Sequence, residues 1–283
     1  MEGPIRAPAV AGQFYPGTET ALVREIEAAY LSPLGPGRLP EVNVQGPRRI
    51  LGLVCPHAGY VYSGPVAAHS YYHLAADGLP RTVVVLGFSH RPLGLRGALQ
   101  TSGAWQTPLG LAEVDAEAAA QVAQALPELV DDARALAEEH SLEVQLPFLQ
   151  HLYGEGLRFV PVMLDRQDWA VARAVGEGLG QALAGREVVL VASTDMSHYV
   201  PAPLAQEQDL HLAGYLTRLD AEGLVRERDR QRITMCGPGA TAAMLVAVRA
   251  WGAREGEILA YHHSGEVAHT AEVVGYLAAQ VVR

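Results

Sequence analysis

The sequence predicts an α/β protein, one domain over residues 1–283, with a central, mostly parallel sheet and helices on both faces. Two observations carry that prediction. From residue 50 onward, short aliphatic or β-branched runs alternate with stretches of helical pattern, as strands and crossover helices do. The runs at 50–54 and 82–87 have the character of strands buried on both faces.

Taken in order, residues 19–31 read as an amphipathic helix packed on the outside, and Pro33–Pro40 with the neighbouring Gly46-Pro47 as a loop into the first core strand at 50–54. Helices are expected at 65–76, 115–125 and 140–153, with the strand 82–87 following the first of them. A strand at 157–164, a helix at 168–184 and a strand at 187–193 continue the alternation. Helices at 203–219 and 238–251 and strands at 258–262 and 273–282 complete it. No internal repeat and no low-complexity tract interrupts it.

Composition removes several function classes. The formal net charge is −10, and the one arginine-rich stretch, Arg226 to Arg232, alternates with Glu227, Asp229 and Gln231. An acidic chain without a basic stripe does not suit nucleic acid as a partner. All 21 basic residues are arginine, which excludes a lysine Schiff base or a P-loop lysine. No uninterrupted apolar run of about 18 residues occurs, and Met1–Arg6 lacks a signal-peptide pattern, so the expectation is a cytoplasmic protein with no membrane partner. Two cysteines, Cys55 and Cys236, are too few for a disulfide framework.

In open α/β sheets, functional groups collect beyond the carboxyl ends of the strands. Three histidines stand at such positions: His57 after the run 50–54, His90 after 82–87, and His198 after 187–193. Imidazole serves there as a metal ligand or as an acid–base group. Each one alone fits a hydrogen-bonded strand end; the set of three fits a site. Cys236 opens a helix in Met235-Cys236-Gly237-Pro238, where the helix N-terminus favours a thiolate and a lower reaction pH than that of Cys55. As an isolated residue it fits a turn filler. Asp195, three residues before His198, either orients the imidazole, acts as a ligand or caps a helix. His140 and Glu143 share a helix face, either lining the site or facing solvent, and Cys55 belongs first to the core.

At these residues the chain resembles the Memo-like family, whose prokaryotic members are called AmmeMemoRadiSam system protein B. The resemblance spans nearly the whole chain. It rests on Arg6 to Pro16, Pro56-His57-Ala58-Gly59-Tyr60 with Ser63-Gly64, Gly87-Phe88-Ser89-His90, Glu139 to Pro147, Asp195-Met196-Ser197-His198-Tyr199, and Cys236-Gly237. That family is similar in fold to the LigB-type (class III) extradiol dioxygenases, which hold non-haem iron with two histidines and a carboxylate. The resemblance implies a LigB-type fold, His57 and His90 as metal ligands and His198 as the acid–base group. It places Cys236 where the dioxygenases have a carboxylate. A thiolate there shifts metal preference toward Cu(I), zinc or a more covalent iron site.

The combined expectation is a mononuclear site of His57, His90 and Cys236 holding one transition metal, iron or copper with zinc as a further candidate. His198 and Asp195 are its catalytic groups; His140, Glu143 and Tyr60 are its substrate-side lining. The activity expected is that of a metal-dependent oxidoreductase on a small-molecule or peptide ligand. Two alternatives stand beside it: a metal-free hydrolase or transferase using Cys236 and His198, and a non-catalytic peptide- or protein-binding module.

Overall fold

A computed structural model describes residues 3–283. Met1 and Glu2, part of the N-terminal pattern read above, lie outside the described residues. The strands are β1 (Ile5–Arg6), β2 (Ile50–Cys55), β3 (Thr82–Phe88), β4 (Gly97–Leu99), β5 (Ala104–Thr107), β6 (Gly110–Val114), β7 (Val130–Asp131), β8 (Arg158–Leu164), β9 (Val188–Ser193), β10 (His198–Pro201), β11 (Glu255–His263) and β12 (Glu272–Val282). The helices are α1 (Glu19–Leu31), α2 (Tyr60–Asp77), α3 (Ala116–Ala125), α4 (His140–Glu143), α5 (Leu146–Tyr153), α6 (Trp169–Ala182), α7 (Ala202–Thr217), α8 (Ala221–Gln231), α9 (Pro238–Ala250) and α10 (Gly265–Ala268).

These strands form one mixed sheet in the order β1-β5-β6-β8-β3-β9-β2-β12-β10, with β11 on β12 and β4 joining β7 and β8. Its centre, β8-β3-β9-β2, is parallel throughout. Every residue of β2, β3 and β9 is buried, which matches the apolar runs in the sequence and requires cover on both faces. Two helical layers supply that cover: α1, α2 and α5 pack together, and α3, α6, α8 and α9 form a second group. β12 runs antiparallel to β2. The core is contiguous from Val10 to Val281. Among the described residues no helix is long and apolar enough to cross a membrane.

Three differences from the sequence expectation have physical causes. The helix expected over 140–153 is two pieces, α4 and α5, because Pro147 has no N–H to give the Glu143 carbonyl and stands in the first turn of a new helix. α2 begins five residues before Pro65: the Tyr60 N–H donates to the Phe14 carbonyl (2.7 Å), so a distant segment supports that start. The arginine-rich stretch is helical as α8. Asp220 caps it through Gly223 N–H (2.8 Å), and Arg226–Glu222 and Arg230–Glu227 pair along its surface.

The N-terminal segment is fastened across the molecule by one buried carboxylate. Glu143, fully buried, pairs with Arg6 at 2.6 Å. It also accepts from Ala9 N–H (2.8 Å), Val10 N–H (3.1 Å) and the Tyr15 hydroxyl (2.5 Å). Arg6 in turn donates to the carbonyls of Leu136 (2.9 Å) and Glu139 (2.7 Å) and lies 4.0 Å over the Trp105 ring. Removing one partner of a buried pair strands the other charge, at about 3–5 kcal/mol. Glu143→Ala should therefore lower stability by about that amount in chemical denaturation; an unchanged denaturation midpoint would contradict the assignment.

Candidate metal centre

The three central strands β3, β9 and β2 are neighbours, so their carboxyl ends bring His90, the turn Thr194–Asp195 and His57 to one edge. α4 enters the same edge and adds His140. One nitrogen from each of His57, His90 and His140 lies within 4.8 Å of the other two. The His90 and His140 rings stack with centroids 4.1 Å apart, and His57 stands edge-on to both at 5.4 and 5.6 Å. His57 is 2% exposed, whereas the His90 and His140 side chains are 35% and 18% exposed, so the group opens to solvent on the α4 side. A cavity of about 770 Å³ there is lined by His90, His140 and Phe14.

The protonation of the histidines follows from their partners. The Ser193 hydroxyl donates to the Ser141 carbonyl (2.5 Å) and accepts from Gln145 Nε2 (2.8 Å). Its one remaining site is an acceptor, so His57 Nδ1, at 2.9 Å, must carry the hydrogen. Gln145 cannot be turned round, because Nε2 also donates to the Pro56 carbonyl (3.0 Å) while Oε1 accepts from the Tyr71 hydroxyl (2.6 Å). The His57 Nε2 lone pair is left facing the group. Glu139 does the same for His90, accepting from its Nδ1 at 2.9 Å and its backbone N–H at 2.8 Å. Burial resists ionisation of Glu139, but His90 and the Ser141 N–H outweigh it and hold the carboxyl down at about 2. A carboxylate behind a ligating imidazole is a common support for a metal site.

Burial, and then the neighbouring imidazoles, push the His57 pKa well down and that of His140 to about 4. His57 and His140 are thus neutral nitrogen donors beside His90, which is backed by the Glu139 carboxylate, a composition a transition-metal cation fits.

Cys236 lies beside this group. Its Sγ is 3.4 Å from His57 Nε2 and accepts from the Asp195 N–H at 3.1 Å. Gly237 allows the approach, since a Cβ there would lie 2.7 Å from the Ser193 carbonyl oxygen. The thiol is not the lowered one that its helix entry suggests. Burial, and then the Asp195 carboxylate, push it strongly upward. Burial also raises Cys55, to about 12, in the core position expected of it. The dipole at the start of α9 is outweighed.

Asp195 accepts from the His57 N–H at 2.7 Å, and burial raises its carboxyl to about 6. It therefore braces the backbone that carries His57. His198 begins β10, where its Nδ1 faces the carbonyls of Met196 (2.8 Å) and Thr234 (3.0 Å). Those groups only accept, so Nδ1 carries the hydrogen and Nε2 is free to take a proton. Glu143 and Tyr60, expected on the substrate side, are structural. Glu143 holds the N-terminal segment, and the buried Tyr60 hydroxyl donates to the Val144 carbonyl (2.7 Å). Ser193, Glu139 and Thr234 escaped the sequence reading. Glu139 had a signal, a carboxylate directly before His140; Ser193 and Thr234 had none.

Both thiols should resist iodoacetamide in the metal-free native protein at pH 8, labelling at least about tenfold more slowly than free cysteine and fully only after unfolding. Labelling of Cys236 at the free-thiol rate would contradict its burial and its contact with Asp195.

Residues 6–280 match the family model described as Memo-like protein. A MEMO1 family protein of Methanopyrus kandleri is 49% identical over 276 residues, covering 96% of this chain and 97% of the relative. Another from Ignicoccus hospitalis is 41% identical, covering 97% of each chain. Among solved structures, an uncharacterized protein from Escherichia coli K12 shares the fold at a TM-score of 0.52 and 17% identity, over 82% of this chain and 99% of that one. The chain belongs to the Memo-like protein family.

Proposed function

We propose that this chain holds one transition-metal ion on His57 and His90 and uses it in oxidoreductase chemistry on a small substrate. Iron or copper is the metal proposed, with zinc the further candidate. The third donor is His140, which completes the group of three nitrogens, or Cys236, which lies outside that group with its Sγ 3.4 Å from His57 Nε2. The observation that carries this reading is the convergence of imidazole nitrogens within 4.8 Å, with the ring hydrogens of His57 and His90 directed away from the centre. A redox-active ion there supplies electron transfer or polarises a bound substrate. His198 is proposed as the acid–base group, through its free Nε2. Asp195 keeps the His57 backbone fixed and so positions that ligand. A cytoplasmic setting, where thiols stay reduced, suits Cys236.

The metal-free cysteine nucleophile is the weaker reading, because the thiol is held protonated and its nearest imidazole is His57, not His198.

Anaerobic titration with Fe(II), Cu(I) and Zn(II) tests the proposal. His57→Ala and His90→Ala should each lower affinity by two orders of magnitude or more, on the order of 3 kcal/mol. Ser193→Ala, which frees the His57 ring, should lower it about 10–100-fold. His198→Ala should bind metal nearly as the native chain does. Whichever of His140→Ala and Cys236→Ala costs more identifies the third ligand. If none of the substitutions changes affinity, the metal reading falls.

A further inference from the structure

On the His198 side lies a second cavity, of about 730 Å³, that the metal reading does not use. Tyr62 from the first turn of α2, Tyr199 from β10, and Tyr276, Val273 and Val274 from β12 line it. It adjoins the proposed acid–base histidine: Tyr199 follows His198 in sequence, and Val274 of the lining pairs with His198 across β10 and β12.

Tyr199 is the unusual residue. β10 pairs with β12 at His198↔Val274 and Val200↔Val273, so Tyr199 is the extra residue of a bulge. Its φ is 55°, the left-handed region that bulky residues avoid. The side chain is 74% exposed, so burial does not account for the conformation. The bulge projects this ring outward while His198 stays fixed on the Met196 and Thr234 carbonyls. Backbone strain of this kind persists where surrounding structure imposes it, and it concentrates at ligand sites.

We infer that this cavity is the subsite for an apolar, ring-bearing part of the substrate, with Tyr199 as the wall that sets specificity. The volume is that of a small-molecule site. Tyr62 and Tyr199, both exposed, offer ring surface for stacking, and the buried Tyr276 backs them. Glu272 is the charged residue among its lining, which favours a neutral group over an anion. The inference deepens the metal-centre reading, because it places the organic part of the substrate beside the proposed acid–base histidine.

Indole is the neutral probe and indole-3-acetate its anionic counterpart, both titrated into the full chain by NMR. Indole should bind saturably and indole-3-acetate several-fold more weakly. Tyr199→Gly and Tyr62→Ala should each weaken indole at least tenfold, whereas Tyr199→Phe, which keeps the ring, should bind as the native chain does. Tyr199→Gly should melt no lower than the native chain, since glycine accepts the left-handed backbone without strain. That readout separates loss of the wall from loss of the fold. Failure of indole to bind the native chain, equal binding by Tyr199→Gly and Tyr62→Ala, or tighter binding of the anion would overturn the inference. A parallel Zn(II) titration keeps the two readings apart. Absent metal binding would sink the metal centre and leave the indole result standing, while intact metal binding without indole binding would sink only the subsite.

Discussion

The Glu143 carboxylate is the point on which the arrangement turns. It has no exposure to solvent and four donors from residues 6–15. Those contacts pin the N-terminal segment against α4, the short helix that begins with His140 and follows Glu139. Phe14, carried on the pinned segment, packs on the His140 ring with centroids 4.6 Å apart. Glu139, at the same helix start, holds His90. A single desolvated charge thus couples the first residues of the chain to two of the three histidines. Removing that carboxylate by substitution would leave the buried Arg6 guanidinium without its partner.

A second constraint is hydrogen-bond saturation. The chain Tyr71–Gln145–Ser193–His57 has one donor and acceptor assignment, because Gln145 and Ser193 are each already committed to a backbone carbonyl, which only accepts. The outcome is a ring nitrogen without a hydrogen at the centre. His90 is oriented by a different route, its Nδ1 held by the Glu139 carboxylate so that Nε2 is the nitrogen left for the centre. Donors prepared in this way need no rearrangement to receive a cation, which is the physical content of preorganisation.

The two cysteines show why local sequence context is an unreliable guide to thiol chemistry. Cys236 has a helix N-terminus behind it, yet burial and Asp195 oppose the thiolate more strongly. Cys55 has neither feature and is raised by burial. A helix dipole acts at the scale of about 1 kcal/mol, whereas desolvating an ion costs several. The larger effect decides.

Much of the architecture is legible in the residues. The fully buried strands announce themselves as apolar runs, and α1 spans 19–31 as its amphipathic pattern predicts. The strand-end positions of His57 and His90 follow from the rule for parallel sheets, since a strand sets where the next residue emerges. The sequence could not decide which side chains would meet. His140 joins His57 and His90 only because α4 returns over β3, and Glu143 turns inward only because Arg6, more than 130 residues earlier, needs a partner. Ser193 carries no mark of its task, and nothing in the sequence marks Tyr199 for its left-handed φ. Periodicity reports burial along one element. Ligand sets, tautomers and strain depend on contacts between elements distant in the chain, and those exist only once the chain has packed.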